Sequence, residues 1–512
     1  MENLTQKETN GLYELSDSAR ASLVGNPYYN DDIAPTRVAD RTWGTRDVTS
    51  LWVTLCICIP AFTMAAGLVG FGLSPWLAVL NVTLGNLLVL IPIQLNSSAG
   101  TKYGIPFPLF SRMTFGARGA HIPSISRAIA ACGWNAVQCW IGGAALVAMI
   151  SALVPGFGAM GFPAFLIGFF LFIILCMWAT IYGSEGIRKL QKFAAPTLAI
   201  LTVGVLVWST VIATGANFSV GDILQASNNS AAIAANGGMV LVFLGGLTAN
   251  IGFWATLAIN IPDFSRYANS QKAQFRGQLY GMPLTMFICA FVGAYMAQAT
   301  NLVFGEAFFD PSVILQHLGN PVLTFVVAAA VAFATMTTNI MANIVAPANG
   351  FSNLAPRKIS YKTGVLITGL LAVLFQPWYL LGDAAALFFS FIGVYGGVIA
   401  PLAAIFIADY YLVKQQRVDV LGLFKGSEGR YWYAGGFNSK AVIAWIAGFI
   451  LPTIGNIMAN FNPGHTNVLF RWITANGYIL GFVIALVVYV AIMPKTDPSF
   501  VSEEESASMT EK

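Results

Sequence analysis

The chain is 512 residues long, only 9% of them charged, with a formal net charge of +4 and a mean hydropathy of +0.69. A water-soluble fold of this length carries many more surface charges, so a soluble architecture is excluded. The basic residues are scattered over many short segments, which excludes a nucleic-acid-binding patch.

Residues 1–49 are polar and acidic, with no apolar core near the start, so no cleavable signal peptide is expected. They read as an N-terminal segment on the cytoplasmic side. From there the chain becomes apolar. Residues 48–101, 128–184, 223–262 and 311–356 contain no Asp, Glu, Lys or Arg. A charge in the bilayer core costs several kcal/mol, and one membrane helix needs about 20 apolar residues. Each stretch therefore holds a helical hairpin or more.

Punctuation by Gly, Pro and charge predicts twelve spans: 50–72, 75–96, 122–153, 161–182, 194–214, 239–262, 279–300, 321–345, 363–381, 384–411, 440–459 and 471–493. Residues 494–512 follow as a polar tail. With twelve spans, every Lys and Arg except Arg471 falls on the side of the N terminus. The positive-inside rule then puts both termini in the cytoplasm, in a plasma-membrane protein. The opposite loops are short, and some carry Asp222, Glu306 and Asp310. The six cysteines all lie in apolar segments and read as small buried residues rather than a disulfide framework.

Pro60 interrupts span 1, and Gly245, Gly246 and Gly252 loosen span 6. Interrupted helices at matching positions of two halves point to a transporter site near the midplane. The alternative is that Gly and Pro are simply common in membrane helices.

Trp134 and Gln138 are four apart on span 3 and share a face. An indole beside an amide suits a flat heterocycle, stacking on its ring and bonding its edge. The alternative is a packed Trp and a Gln bonding across helices. Trp254 lies in the middle of span 6, whereas tryptophan usually gathers at the interface. Span 8 carries Thr335, Thr337, Thr338, Asn339 and Asn343 within a short stretch, a costly set unless it faces a cavity or partners. Hydroxyls and unwound carbonyls can hold a hard monovalent cation. Alternatively, the hydroxyls bond their own helix.

Asp263 is about 13 Å of helical rise from Trp254. It reads as a loop anchor or as a gate paired with Arg266. Asp383 and Asp409 read as interface residues at span ends. His121 and His465 fall in or near loops, and His317 lies on the opposite side, so a proton relay through histidine is disfavoured. No H-E-x-x-H, G-x-S-x-G or Walker sequence is present, so neither an enzyme nor a self-powered pump is expected.

Several segments in one order resemble the nucleobase:cation symporter-1 family, permeases for hydantoin, allantoin, cytosine and uracil. They are A-P-T-R-V-A-D-R (34–41), A-G-T-K-Y-G-I-P-F-P (99–108), F-G-A-R-G-A-H-I-P (115–123), W-N-A-V-Q, F-W-A-T-L-A-I-N-I-P-D-F, T-T-N-I-M-A-N-I-V-A-P-A and I-A-D-Y-Y-L-V. The resemblance implies an all-α, leucine-transporter-like fold, a five-plus-five inverted repeat followed by two helices. The repeats would be 50–214 and 239–411, and the extra pair 440–493. It also implies a ring sandwiched between Trp134 and Trp254, with amide contacts from Gln138 and Asn343. Phe253 stands where the hydantoin permease has glycine. The family's sodium site maps to Thr54, Ile57, Ala334, Thr337 and Thr338. Cys58 differs from the amide or imidazole of relatives.

The expected function is cation-coupled import of a small planar heterocycle of nucleobase, hydantoin or allantoin type, with sodium as the coupling ion and no resident cofactor. Proton coupling is the nearest alternative. A membrane solute sensor that does not transport is the alternative from another class.

Overall fold

The computed structural model describes residues 6–29, 31–182, 184–309, 311–355, 358–380, 384–461 and 468–494. Asp310, Asp383, His465 and the tail from residue 495 lie outside them. Apart from one small hairpin, the described residues are helical.

The N-terminal segment is folded. Strands Gln6–Thr9 and Leu12–Leu15 pair antiparallel, Gln6 opposite Leu15. Their turn is Asn10–Gly11, with φ of 54° and 78°. Asn-Gly is the pair that a two-residue turn with both φ positive requires. Arg41 then clasps the segment onto the helix Pro75–Tyr103. Its guanidinium donates to the carbonyls of Tyr13 (2.6 Å), Thr36 (2.9 Å), Thr101 (3.0 Å) and Lys102 (3.3 Å). Burial pushes this guanidinium down to about 10, so it stays charged at neutral pH.

Among the described residues, eight helices are long and apolar enough to cross a bilayer alone. The bent pairs Thr45–Cys56 with Ile59–Gly70 and Val468–Ala475 with Gly477–Ile492 bring this to ten, and Met239–Phe253 and Tyr361–Leu374 are shorter apolar helices. All twelve predicted spans thus meet helix, though length alone does not qualify each as a crossing. The helices His121–Leu153 and Phe162–Tyr182 fall within a residue of the third and fourth predicted spans. Others run past their predicted ends. Gln271–Phe304 and Pro75–Tyr103 continue beyond the apolar window into polar residues.

Three groups of helices emerge. Gln271–Phe304 packs on both halves of the first bent pair and on Pro75–Tyr103, which in turn meets Met239–Phe253. His121–Leu153 packs on Phe162–Tyr182, Pro321–Asn339 and Tyr361–Leu374. Ala384–Ile407, Ser439–Phe461 and Gly477–Ile492 form the third group. Small residues permit the closest approach. A Cβ on Gly143 would sit 2.6 Å from the Phe169 nitrogen, so its absence lets two backbones touch.

The breaks differ from expectation in position. Span 1 unwinds at Ile57 and Cys58, not at Pro60. Ile57 has φ −78°, ψ 86° and Cys58 is extended, and the Cys58 N–H reaches back to the Cys56 carbonyl (2.9 Å). Pro60 lies in the first turn of the second half, where its missing N–H costs nothing. Span 6 runs unbroken through Gly245 and Gly246 and breaks at Trp254, φ −99° and ψ 6°. Span 8 contains a π segment, Ile340–Ile344, and a second one, Ala408–Val413, ends span 10.

Asp409 is not an interface residue. It and Lys414 form a fully buried ion pair (2.5 Å), and Asp409 also accepts from the Tyr489 hydroxyl (2.7 Å). The six cysteines are unpaired and buried.

Candidate functional site

Both breaks and the π segment of span 8 meet around one small cavity. Its wall includes Cys58 and Pro60 from span 1, Trp134 and Gln138 from span 3, Phe253, Trp254 and Thr256 from span 6, and Thr338, Ala342 and Asn343 from span 8. The five residues expected at the substrate site thus line one space. Unwound backbone explains why: helices that stop in mid-membrane leave polar groups needing partners, which only protein or a lined cavity supplies.

Each indole is held by its edge. Trp134 Nε1 donates to the Tyr395 hydroxyl (3.0 Å), which donates to the Gly252 carbonyl (2.8 Å) just before the span 6 break. Trp254 Nε1 donates to Asn86 Oδ1 (2.6 Å). With both N–H groups so engaged, neither indole offers its donor to the cavity. Between them stands Phe253, edge-on to Trp134 (5.2 Å, 78°) and to Trp254 (5.0 Å, 83°).

The polar groups are few. Gln138 Oε1 is buried without a hydrogen-bond partner. Asn343 Nδ2 donates to Asn339 Oδ1 (3.1 Å), and Asn339 Nδ2 donates to Asn135 Oδ1 (2.7 Å). The Asn343 carbonyl is thereby the end of the amide row nearest the cavity. Two acceptors beside aromatic faces match a ring bearing N–H edges. The cavity measures about 40 Å³, far below the ~300–1,000 Å³ of small-molecule sites. A heterocycle therefore enters only as the Phe253 ring swings aside or the helix groups part.

Phe253→Ala removes the ring that separates the indoles. Competition uptake over a size series should show bulkier bicyclic rings gaining about tenfold relative to monocyclic ones, on the scale that pocket truncations shift discrimination. An unchanged size order would show that Phe253 does not limit the pocket.

The cation candidates are only partly gathered. The hydroxyls of Thr337 and Thr338 both donate to the Ala334 carbonyl (2.9 and 3.0 Å), so three of the oxygens form one cluster. This is also the helix-internal bonding that explains such threonines without an ion. Ile57 and Ala334 line a second, larger crevice together. Thr54 lines neither space, and its hydroxyl donates to the Ser50 carbonyl (2.9 Å). Among the described residues no cluster of His, Cys, Asp and Glu could hold a metal.

Asp263 does anchor a loop: its carboxylate accepts from the Phe107 N–H (2.9 Å) and from Asn260 (3.3 Å). Arg266 bonds the Tyr267 hydroxyl (2.8 Å) and the Ala34 carbonyl (3.5 Å) instead of pairing with it.

Tyr395, Asn86 and Arg127 escape a reading of sequence alone. Arg127 is buried beneath the cavity and donates to the Ala342 carbonyl (3.1 Å) in its wall. Asn86 carried a usable signal. It belongs to a row of span 2 asparagines, of which Asn81 and Asn96 bond span 6 carbonyls on either side of the break (2.6 and 2.7 Å). Polar residues in mid-span mark such contacts. Tyr395 had none, since a tyrosine in an apolar helix looks like core.

Residues 35–488 match the family described as permease for cytosine/purines, uracil, thiamine, allantoin. The purine-uracil permease NCS1 of Arabidopsis thaliana is 36% identical over 91% of this chain and 78% of its own length. The allantoin permease of Bacillus subtilis (strain 168) is 31% identical over 96% and 98%. Among solved structures, the chain is similar to Mhp1, a nucleobase-cation-symport-1 family transporter, in a closed conformation with bromovinylhydantoin bound. That similarity covers 94% of this chain and 99% of the other, with a TM-score of 0.73 and 24% identity. The fold is thus that of an all-α, multi-pass membrane transporter, and its relatives are permeases rather than enzymes. The chain belongs to the nucleobase-cation-symport-1 family of membrane permeases.

Proposed function

We propose that this permease is a sodium-coupled symporter that imports a small, planar, neutral heterocycle with amide or ureide edges. The observation that carries the reading is the joint lining of one cavity by Trp134, Gln138, Phe253, Trp254 and Asn343, at two helix breaks and a π turn. In this reading Trp134 and Trp254 clamp the ring faces, and Gln138 and Asn343 read the edge. The names of the relatives, a purine-uracil permease and an allantoin permease, support this substrate class.

Sodium would bind where Ala334, Thr337 and Thr338 cluster their oxygens, with the span 1 carbonyls of Thr54, in the last helical turn before the break, and Ile57, at the break, completing the shell. The absence of a carboxylate there suits a monovalent ion bound by neutral oxygens. The ion would bridge the group containing span 1 and the group containing span 8. Substrate binding and sodium binding would then favour the same arrangement, each raising the other's affinity by the same factor. Alternating access would be a rocking of the two groups, each of which draws spans from both halves of a five-plus-five repeat. The basic residues Arg112, Arg266, Arg417 and Arg430 share one face with the N-terminal segment, which supports a cytoplasmic N terminus in the plasma membrane.

The test is uptake and binding in proteoliposomes with imposed gradients. Thr338→Ala removes one ligand oxygen next to the cavity, and sodium-stimulated substrate binding should weaken about tenfold, the equivalent of ~1.4 kcal/mol. Uptake by the unaltered protein that ignores sodium and collapses with a protonophore would transfer the coupling to protons. Tight binding without flux would make the protein a sensor.

A further inference from the structure

A second space of about 550 Å³ lies between spans 1, 5 and 8, and of the residues proposed for the transport cycle only Ile57 and Ala334 line it. Its volume falls in the ~300–1,000 Å³ range of small-molecule sites. The lining is almost wholly apolar, so water gains nothing there. Span 5 forms its outer wall. Ile200, Val203, Val207 and Val211 belong both to that wall and to the outer surface, 71%, 59%, 56% and 61% exposed. They recur every three to four residues, so they form one stripe along the helix. Eleven steps of 1.5 Å from Ile200 to Val211 make the stripe ~16 Å long. That is about half of a ~30 Å hydrocarbon core, the depth of one leaflet. The inner end reaches Ile57 and Cys58 at the span 1 break, and Ala334.

We propose that this crevice is a binding site for one acyl chain of a bilayer phospholipid, lying along span 5 with its end against the unwound segment of span 1. The occupant follows from three features. The slot opens onto a lipid-facing surface, its length matches a leaflet, and it offers no charge to hold a headgroup or a polar solute inside. The site adjoins the heterocycle cavity at Cys58, the one lining residue the two share, and the proposal stands whichever substrate that cavity takes. An acyl chain resting on Ile57 and Cys58 gives bilayer composition a direct contact with the hinge of the substrate site.

Gly204 lines the crevice, and a Cβ there meets nothing within 4 Å. Gly204→Phe therefore fills the slot without a backbone clash. The experiment reconstitutes the full chain in phosphatidylcholine vesicles containing a phosphatidylcholine with a diazirine in mid-chain, followed by light and peptide mapping. Labelling of residues 198–211 should exceed that of the lipid-facing stripe Leu84, Leu87 and Ile91 of span 2 several-fold. In Gly204→Phe it should fall to the level of that stripe, while span 2 labelling stays constant. Should Gly204→Phe fail to fold, Val207→Trp serves the same purpose with the same readout. Labelling of span 5 no stronger than that of span 2, or unaffected by the filled slot, would overturn the proposal.

Discussion

Trp134→Ala should abolish saturable uptake while the protein still reaches the membrane. The indole is one of two flat walls of the cavity, and its N–H is committed to Tyr395 (3.0 Å). Stacking of a heterocyclic base on an aromatic side chain is worth about 1–3 kcal/mol by alanine substitution, or roughly 5- to 150-fold in affinity. The truncation also leaves Tyr395 and Phe253 without the ring they pack on (6.2 and 5.2 Å). The expected loss is therefore at the upper end, on the order of 100-fold. Tyr395→Phe keeps the packing and frees the indole edge and the Gly252 carbonyl, so its loss should be smaller and lie in KM more than in kcat. Uptake by Trp134→Ala with unchanged KM would end the stacking account.

The second large effect is on stability. Asp409→Ala leaves the Lys414 ammonium buried with no counter-charge, and the Tyr489 hydroxyl without its acceptor. Removing one partner of a buried pair costs about 3–5 kcal/mol, whereas replacing both by apolar residues is often neutral. Asp409→Ala should thus unfold at markedly lower temperature in detergent, or fail to accumulate. The double variant Asp409→Leu with Lys414→Met should recover most of the loss. A single variant as stable as the unaltered protein would mean that water reaches this pair.

Where the sequence was transparent and where it was opaque follows from physics. Helices such as His121–Leu153 and Phe162–Tyr182 were legible because loop residues and charge bound their apolar windows sharply. Long helices such as Gln271–Phe304 were underestimated, since hydropathy sees the membrane and not the helix that continues beyond it. Pro60 was a misleading marker. Proline is tolerated in a first turn, so it shows where a helix resumes rather than where the chain unwinds. The break at Trp254 has no composition of its own and comes from tertiary contacts of span 6 with spans 2 and 10.

The Asp409–Lys414 pair was hidden for a geometric reason. Helical neighbours are sought three or four residues apart. A π turn bonds i to i+5, and the Lys414 N–H indeed meets the Asp409 carbonyl (2.8 Å). The side chains come together at a spacing that α-helical reasoning treats as unrelated. The substrate-site candidates were more legible, because an indole or amide in mid-membrane is conspicuous in any sequence. Their companion Tyr395 acts through hydrogen bonds to Trp134 and Gly252 on distant segments, which no spacing reveals, while Asn86 was marked only as one polar residue of several in mid-span.

The amide row through Asn343, Asn339 and Asn135 runs one way: every N–H points outward from the pocket and every oxygen points back along it. The row ends at Asn135, whose oxygen also accepts from the Cys139 thiol (3.3 Å) and which touches no part of the cavity wall. Reversing that polarity would turn the inward-facing end from oxygen to nitrogen. Relatives with identical walls would then prefer opposite tautomeric edges of the same ring, their selectivity decided one layer behind the surface that the ligand meets.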